Sequence, residues 1–310
     1  MKKPAVGIVS LGCPRNLVDS ETIAARLASR GFRIVDLDRA DIAIVNTCAF
    51  VNDAKTESID AILDLIEAKK QGRIRKVIVY GCFSQRYKNI LVRELPEVDA
   101  FVGRIGLDSS AERFALTQEH FAYVKICEGC VNLCSFCIIP SIKGRFQSVA
   151  AEAVLRKCAR LDRQGISEIC IIGQDITAYG RDLKEKTDLY NLVKKILAKC
   201  RHIGWLRLLY LYPSRVTDPL LKLISDEPRL CKYIDIPVQH ASDRMLKAMN
   251  RAMTNKDIVG LILRIRRIVP DAAIRTTLIT GFPGETDRDF KEMLSFVREM
   301  RFERLGVFMY

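Results

Sequence analysis

The feature that most constrains this chain is a repeated pattern of apolar strand, short turn and amphipathic helix. It occurs three times in the first third, where AVGIVSLG, DIAIVNT and KVIVYG are each followed by a helical stretch. Alternating strands and helices predict a parallel sheet covered by helices. The first helical stretch, DSETIAARLASRG, is expected to begin with Asp19 or Ser20 as its N-cap and to end before Gly31.

One cysteine follows each of these strands closely, at Cys13, Cys48 and Cys82. Ligands of such sheets bind beyond the carboxyl ends of the strands, which meet at one edge. We therefore expect the three cysteines to lie close together and to form a metal site. The alternative is that cysteine serves here only as a small residue suited to buried positions.

The rest of the chain continues the alternation with six more strands, which predicts a partial (β/α)6 barrel with its functional residues on the loops after the strands. We place an N-terminal parallel-sheet α/β domain at 1–112, a linker near 106–120 and the barrel domain at 113–310. The chain stops inside the sixth strand, so we expect a shortened form. The strands are FAYVKI, EICIIG, LRLLYLY, KYIDIPV, AIRTTLITG and RLGVFMY, and the helices lie near 149–164, 188–200, 217–226, 255–268 and 286–300.

The first barrel strand is followed by CEGCVNLCSFCIIPSIK, in which Cys130, Cys134 and Cys137 are spaced Cys-x3-Cys-x2-Cys. Iron–sulfur cubanes are usually held by four cysteines, so a set of three leaves one iron open to another ligand. The alternative is a zinc knuckle, which needs a further pair of cysteines or histidines. No cysteine or histidine follows nearby, the next being Cys158, so the cluster is favoured over zinc.

Composition narrows the classes of function. Eleven cysteines without an export signal argue against a disulfide framework and favour metal or redox chemistry. No apolar run approaches the roughly 20 residues that span a bilayer, so we expect a cytoplasmic protein with no membrane partner. The net charge of +13 favours an acidic partner such as RNA or a ribonucleoprotein, although solubility alone explains it equally well.

The triplet, with Phe136 directly before its last cysteine, resembles the signature of the radical S-adenosylmethionine (SAM) enzymes. The two halves together resemble the methylthiotransferases over essentially the whole chain. That resemblance implies SAM and two 4Fe–4S clusters as cofactors, and an external electron donor. It assigns an auxiliary cluster to Cys13, Cys48 and Cys82, and the SAM-binding cluster to Cys130, Cys134 and Cys137.

Finer motifs resemble the RimO branch of this family: SLGCPRNLVDSE, GQDITAYG, YLYPSR, IDIPVQHASDRMLKAMNR and RTTLITGFPGET. The resemblance implies transfer of a methylthio group to the β-carbon of an aspartate in the twelfth small-subunit ribosomal protein. One alternative is the tRNA-adenosine branch, which tends toward a Gly-Cys-Gln-Met-Asn start. Another is a zinc-stabilised RNA- or ribosome-binding protein.

The chain departs from the family pattern at three places. Gln147-Ser148-Val149 stands where the family usually has Arg-Ser-Arg. Cys127 is a cysteine that the family does not require, and the C-terminal TRAM domain is missing. These departures concern docking of the substrate more than cluster chemistry.

Candidate SAM contacts lie after the barrel strands. A polar side chain in the loop Gly173–Gln174–Asp175 is expected to hold the SAM amino group, the alternative being an ordinary turn. The other candidates, each with an equally simple packing explanation, are Phe136 beside the adenine, Gly281 after the fifth strand, and Gln239 and His240 at the end of the fourth.

Overall fold

The computed structural model describes residues 3–106 and 113–310, which form two compact units. The first unit extends to Glu119 and also includes the segment Ile138–Gly144. The second consists of His120–Cys137 and Arg145–Tyr310. Residue 112, the predicted domain boundary, and part of the predicted linker lie outside the described residues.

The first unit contains a parallel sheet in the order β2-β1-β3-β4-β5. This confirms the predicted parallel-sheet α/β fold, but the two short edge strands were missed because two or three residues carry no recognisable alternation. The strands are β1 (Ala5–Ser10), β2 (Arg33–Ile34), β3 (Ile42–Thr47), β4 (Lys76–Gly81) and β5 (Ala100–Val102), and the helices are α1 (Pro14–Ser29), α2 (Asn52–Lys70), α3 (Cys82–Glu94) and α4 (Ile139–Lys143), with a 3-10 turn at Leu37–Arg39.

The predicted start of α1 is wrong. The helix begins at Pro14, with Cys13 as its N-cap residue, because proline is well suited to the first helical turn. Asp19 and Ser20 instead lie inside the helix and are buried. Their polar atoms bind other side chains: the Ser20 hydroxyl accepts a hydrogen bond from Asn46 Nδ2 at 2.9 Å.

The second unit contains two three-stranded parallel sheets, β6-β9-β10 and β11-β12-β13. A parallel bridge between Leu206 and Leu230 connects β10 to the chain just before β11. This six-strand series confirms the predicted partial barrel. The strands are β6 (Phe121–Lys125), β7 (Cys127–Glu128), β8 (Gln147–Ser148), β9 (Glu168–Ile172), β10 (Trp205–Leu208), β11 (Tyr233–Asp235), β12 (Ala273–Thr280) and β13 (Arg304–Met309), of which β7 and β8 form a separate two-stranded antiparallel sheet.

Amphipathic helices follow the barrel strands and cover their outer face. Val124, Ile171 and Leu208, which lie side by side in the sheet, are buried, whereas Tyr123 and Arg207, at alternating positions, are partly exposed. The helices are α5 (Ala151–Arg163), α6 (Leu189–Lys199), α7 (Asp218–Asp226), α8 (Asp243–Ala248), α9 (Asn255–Ile268) and α10 (Asp287–Met300), with 3-10 turns at Ile176–Ala178 and Pro213–Arg215.

The long helices of the second unit lie within two residues of their predicted bounds. α9 and α10 each begin with a capping box, formed by Thr254 with Asp257 and by Thr286 with Asp289. None of the helices in the described part of the chain has the length and apolar character that a membrane crossing requires.

Candidate functional site

Cys13, Cys48 and Cys82 follow three adjacent strands of the first sheet. Cys13 caps α1, Cys48 comes directly after β3, and Cys82 is the first residue of α3. Since β1, β3 and β4 are parallel neighbours, all three cysteines lie at the carboxyl edge of one sheet. Two of the thiols are therefore at helix N-termini, where backbone N–H groups and the helix dipole favour negative charge.

The backbone before Cys13 lies directly against Cys48. Gly12 has a φ of +84°, and a Cβ atom there would lie 2.7 Å from the Cβ of Cys48. Only glycine fits this position. Asn16 connects Cys82 to the end of β3, next to Cys48. Its Oδ1 accepts a long contact of 3.7 Å from the Cys82 sulfur, and its Nδ2 donates to the Thr47 carbonyl at 3.1 Å.

Charges near this edge act on the thiols unequally. Burial raises the pKa of Cys48 and raises the pKa of Cys82 to about 11, and the charge of Cys13 adds to both effects. Burial also opposes ionisation of Cys13, but the Arg15 charge and hydrogen bonds at the helix N-terminus outweigh it, so its pKa lies below the ordinary value. Ionisation of Cys13 thus makes ionisation of the other two thiols less favourable.

A buried ion pair supports this edge from the side of α4. Lys143 Nζ lies 3.3 Å from Asp19 Oδ2, with both side chains more than nine-tenths buried. The Lys143 charge lowers the pKa of Cys82 and so opposes the effect of burial there. A cation is thus held next to a candidate anionic ligand.

Cys130, Cys134 and Cys137 lie in the loop between β7 and α4, where polar groups point at two of the sulfurs. The backbone N–H and the side-chain Nδ2 of Asn132 both approach Cys130 Sγ at 3.4 Å. Arg251 Nη1 lies 3.5 Å from Cys134 Sγ. Hydrogen-bond donors directed at cysteine sulfurs are typical of iron–sulfur sites, where they adjust the potential.

The end of α8 holds this loop in place. Ser135 donates its hydroxyl to the Ala248 carbonyl at 2.8 Å and its backbone N–H to the Met249 carbonyl at 3.2 Å. Asn250 Nδ2 donates to the Leu133 carbonyl at 2.6 Å. A six-residue helix therefore supports the cysteine loop.

Within the described residues, no group of three or more histidine, cysteine or acidic side chains is arranged to hold a single metal ion. A cubane makes a different demand, because it spreads its cysteine ligands over several irons.

Of the residues predicted after β9, Gly173 has a packing role. A Cβ atom at this position would lie 2.4 Å from the sulfur of Cys127. Cys127 is fully buried, and its thiol contacts the Asp175 carbonyl at 3.6 Å. Burial, followed by the charge of Asp175, raises the pKa of Cys127 to about 12, so the neutral thiol is favoured near pH 7.

Gln174 and Asp175 differ in whether their polar side-chain atoms remain available to bind a ligand. The Asp175 carboxylate accepts hydrogen bonds from Asn132 Nδ2 at 2.9 Å and from the Thr177 N–H at 3.1 Å, and it pairs with Arg215. It therefore organises neighbouring side chains. Both polar atoms of the Gln174 amide are buried and have no hydrogen-bond partner among residues 3–106 and 113–310, which suits a side chain that binds a ligand.

The remaining candidates gather around the end of β12. Phe136 packs against Met245, Met249, Ile279 and Phe282. The Gln239 carbonyl accepts from the Ile279 N–H at 2.8 Å.

Gly281 lies just beyond β12 and donates its N–H to Glu285 Oε2 at 2.5 Å. β11 ends at Asp235, and its pairing with β12 is interrupted at Pro237, which has no N–H. The pairing resumes at Gln239, which forms a further parallel bridge with Leu278 of β12, and His240 directly follows that bridge. His240 is fully buried and its Nδ1 accepts two backbone N–H groups, so it is held as a core residue.

Comparison with known proteins identifies the family. The radical SAM superfamily model matches residues 124–297, and the model of uncharacterized protein family UPF0004 matches residues 5–103. The ribosomal protein uS12 methylthiotransferase RimO of Geobacter sulfurreducens is 48% identical, over 99% of this chain and 75% of that relative. RimO of Geotalea uraniireducens is 46% identical over the same shares. This chain belongs to the RimO family.

Solved structures at low identity share the fold of this RimO family member. TsrM, a radical SAM methyltransferase from Kitasatospora setae, superposes with a TM-score of 0.70 at 15% identity, covering 99% of this chain and 75% of TsrM. OxsB, a cobalamin-dependent SAM radical enzyme, gives 0.64 at 14% identity, covering 96% and 52%. These likenesses concern the fold alone.

A RimO family enzyme uses SAM and two 4Fe–4S clusters, and the donor sets described above fit such groups. Each set supplies three thiols from loops or helix N-termini with polar groups beside them. Cys158, Cys170 and Cys200 are buried, as suits cysteines with a packing role. Cys231 is only partly buried and lies just before β11.

Several residues at the RimO-type site were not singled out from the sequence. Arg215 and Tyr212 lie in YLYPSR, and Arg251 ends IDIPVQHASDRMLKAMNR, so the motifs that mark the branch already contain them. Asn132 lies between two cysteines of the triplet. Lys143 follows the triplet by six positions and gives no pattern that indicates burial. A motif with no assigned role was the signal available for the first three.

Proposed function

We propose that this chain transfers a methylthio group to the β-carbon of an aspartate in ribosomal protein uS12. The observation that carries the proposal is the similarity to RimO proteins over nearly the whole of this chain, in which two cysteine sets each follow strands of parallel sheets. The chain spans 75% of the length of the Geobacter relative.

In this proposal Cys130, Cys134 and Cys137 hold the SAM-binding cluster, and Cys13, Cys48 and Cys82 hold the auxiliary cluster. When bound, these groups supply the radical that breaks an unactivated carbon–hydrogen bond and the sulfur that replaces the hydrogen. The chain itself holds, orients and shields the reacting parts.

The residues around the triplet contribute in different ways to positioning the cysteine loop and SAM. Ser135 and Asn250 fix the cysteine loop on the end of α8. Gln174 has the unpartnered buried amide that suits the polar end of SAM. Phe136, Gln239 and Gly281 border the end of β12, where the apolar part of the cofactor has side chains and an open glycine to lie against.

At the auxiliary site, Cys13 and Cys82 both lie at helix N-termini. Burial opposes ionisation of Cys13, but the Arg15 charge and hydrogen bonds at the helix N-terminus outweigh it and favour the thiolate that iron requires, whereas burial raises the pKa of Cys82 to about 11. The Lys143 ammonium adds a compensating charge next to Cys82. The partners are uS12, as the substrate that names the relatives, and an external one-electron donor. A ribosomal substrate agrees with the cytoplasmic location that the sequence predicts.

The proposal is tested by anaerobic reconstitution with iron, sulfide and a reductant, followed by reaction with SAM and with two acceptors side by side. We expect mass spectrometry to find one methylthio group in place of one hydrogen on an aspartate of uS12 and no product on tRNA. Product on tRNA alone would contradict the proposal and assign the chain to the tRNA-adenosine branch.

The cysteine assignment needs its own test. Cys134→Ala removes one of three ligands to the SAM-binding cluster, so formation of 5′-deoxyadenosine should fall to background. Cys158→Ala, which changes a buried cysteine in α5, is the matched control and should retain SAM cleavage. Normal 5′-deoxyadenosine production by Cys134→Ala would contradict the assignment.

A further inference from the structure

Two arginines clamp one aromatic ring beside the cysteine triplet. The guanidinium carbons of Arg215 and Arg251 each lie 4.3 Å from the centroid of the Tyr212 ring. Cation–π contacts of this kind hold a guanidinium in a fixed orientation. The ring thus positions two positive charges at the site, and both arginines come from motifs that marked the family without having a role.

Arg251 is held at three points and directed at a sulfur. Its Nη2 donates to the Pro237 carbonyl at 2.6 Å, its guanidinium carbon lies 4.3 Å from the centroid of the Tyr212 ring, and its Nη1 lies 3.5 Å from Cys134 Sγ. No carboxylate pairs with Arg251 among the residues that the structure describes. Its positive charge is therefore not neutralised locally.

Arg215 is connected to a different sulfur and is neutralised. It pairs with the buried Asp175 and donates to Asn132 Oδ1 at 2.7 Å. Asn132 in turn directs its N–H groups at Cys130 Sγ. Because Asp175 cancels the charge, Arg215 serves to orient Asn132, whereas Arg251 brings a net positive charge to Cys134.

We propose that Arg251, oriented by the Tyr212 ring, is a positioning residue that raises the reduction potential of the cluster held by Cys130, Cys134 and Cys137. A cluster gains negative charge when it takes up an electron, so a fixed cation beside a ligand sulfur stabilises the reduced form. An external donor can then reduce the cluster more readily. The inference rests on the proposed function, since it requires the cluster at this triplet.

The experiment measures the potential of this cluster by reductive titration monitored by electron paramagnetic resonance. The host is the full-length chain in which Cys13, Cys48 and Cys82 are alanine, so that only one cluster contributes. If this host fails to fold, the wild-type host is used, and the signal that changes on adding SAM reports the same cluster. Iron content is measured for every variant.

We expect Arg251→Leu to retain its iron and to lower the equilibrium constant for reduction at least tenfold, which for one electron is about 59 mV more negative. Arg251→Lys, which keeps the charge but loses the guanidinium group that contacts Tyr212 and Cys134, should give a potential between those of Arg251→Leu and the host. Arg267→Leu, which removes the same charge from an exposed position on α9, is the matched control and should leave the potential unchanged.

The outcomes separate this inference from the function on which it rests. Equal potentials for the host, Arg251→Leu and Arg267→Leu, all with full iron content, would overturn the role of Arg251 and leave the function intact. A cluster signal that persists when Cys130, Cys134 and Cys137 are all changed to alanine would instead overturn the assignment of the cluster.

Discussion

Cys127 places its sulfur in the space that a side chain at Gly173 would occupy. The contact explains a cysteine that the family pattern does not require, and a glycine that sequence reasoning had assigned to SAM. At 2.4 Å, a Cβ atom on residue 173 could not coexist with the Cys127 sulfur without movement of the backbone. The two residues therefore form one packing unit behind the loop that carries Gln174.

Gly173→Ala should accordingly lower the free energy of unfolding by about 1–3 kcal/mol, the usual cost of overpacking a core. Cys127→Ala removes the sulfur, so the double variant should recover part of that loss. Denaturant unfolding of the four proteins measures the coupling. Equal stability of Gly173→Ala and the wild type would show that the contact does not exclude a methyl group.

Lys143 is a second case in which a single residue determines local stability. A buried charge that loses its partner destabilises a protein by about 3–5 kcal/mol. Lys143→Met leaves the Asp19 carboxylate buried without this ammonium, so a marked decrease in Tm is expected. Adding Asp19→Leu should restore most of the loss. A single variant as stable as the wild type would show that Asp19 does not depend on Lys143.

At the scale of the element, helix α1 determines which cysteine ionises first. Its N-terminus and Arg15 lower the pKa of Cys13, while burial raises the pKa of Cys48 and Cys82. The thiolate is the form that reacts with alkylating agents, and it appears as the pH rises through the pKa. In the metal-free chain, Cys13 should therefore react at lower pH than the other two.

Alkylation with iodoacetamide across pH 6–10, read by peptide mass spectrometry, measures this order. Arg15→Gln removes the lowering charge and should shift the Cys13 profile to higher pH. Arg26→Gln, near the other end of the same helix, is the control. Alkylation of Cys82 before Cys13 would contradict this account of the helix N-terminus.

Long helices with a regular apolar pattern could be predicted from the sequence, whereas short helices could not. The helix from Asn255 to Ile268 has its apolar stripe and its capping box in adjacent sequence, so its bounds follow from local rules. The helix from Asp243 to Ala248 has under two turns of sequence, and its role depends on the cysteine loop. The contact of Arg251 with Cys134 spans 117 positions, so no local pattern could indicate it.

On the scale of the whole molecule, two parallel-sheet units each bring a set of three cysteines to loops or helix starts after strands. The positions of the cysteines after the strands were evident from sequence because the carboxyl ends of parallel strands share an edge. The side chains that place a positive charge beside each set could not be predicted, because Lys143 and Arg251 are distant in sequence from the cysteines that they approach. The central claim is that each set holds its own cluster.

The most direct test counts iron and sulfide after anaerobic reconstitution of three proteins: wild type, the Cys13/Cys48/Cys82→Ala chain and the Cys130/Cys134/Cys137→Ala chain. Two independent cubanes predict about eight irons in the wild type and about four in each variant. The first variant should still cleave SAM but transfer no methylthio group. Iron that stays near eight in either variant, or is lost entirely from both, would contradict the account.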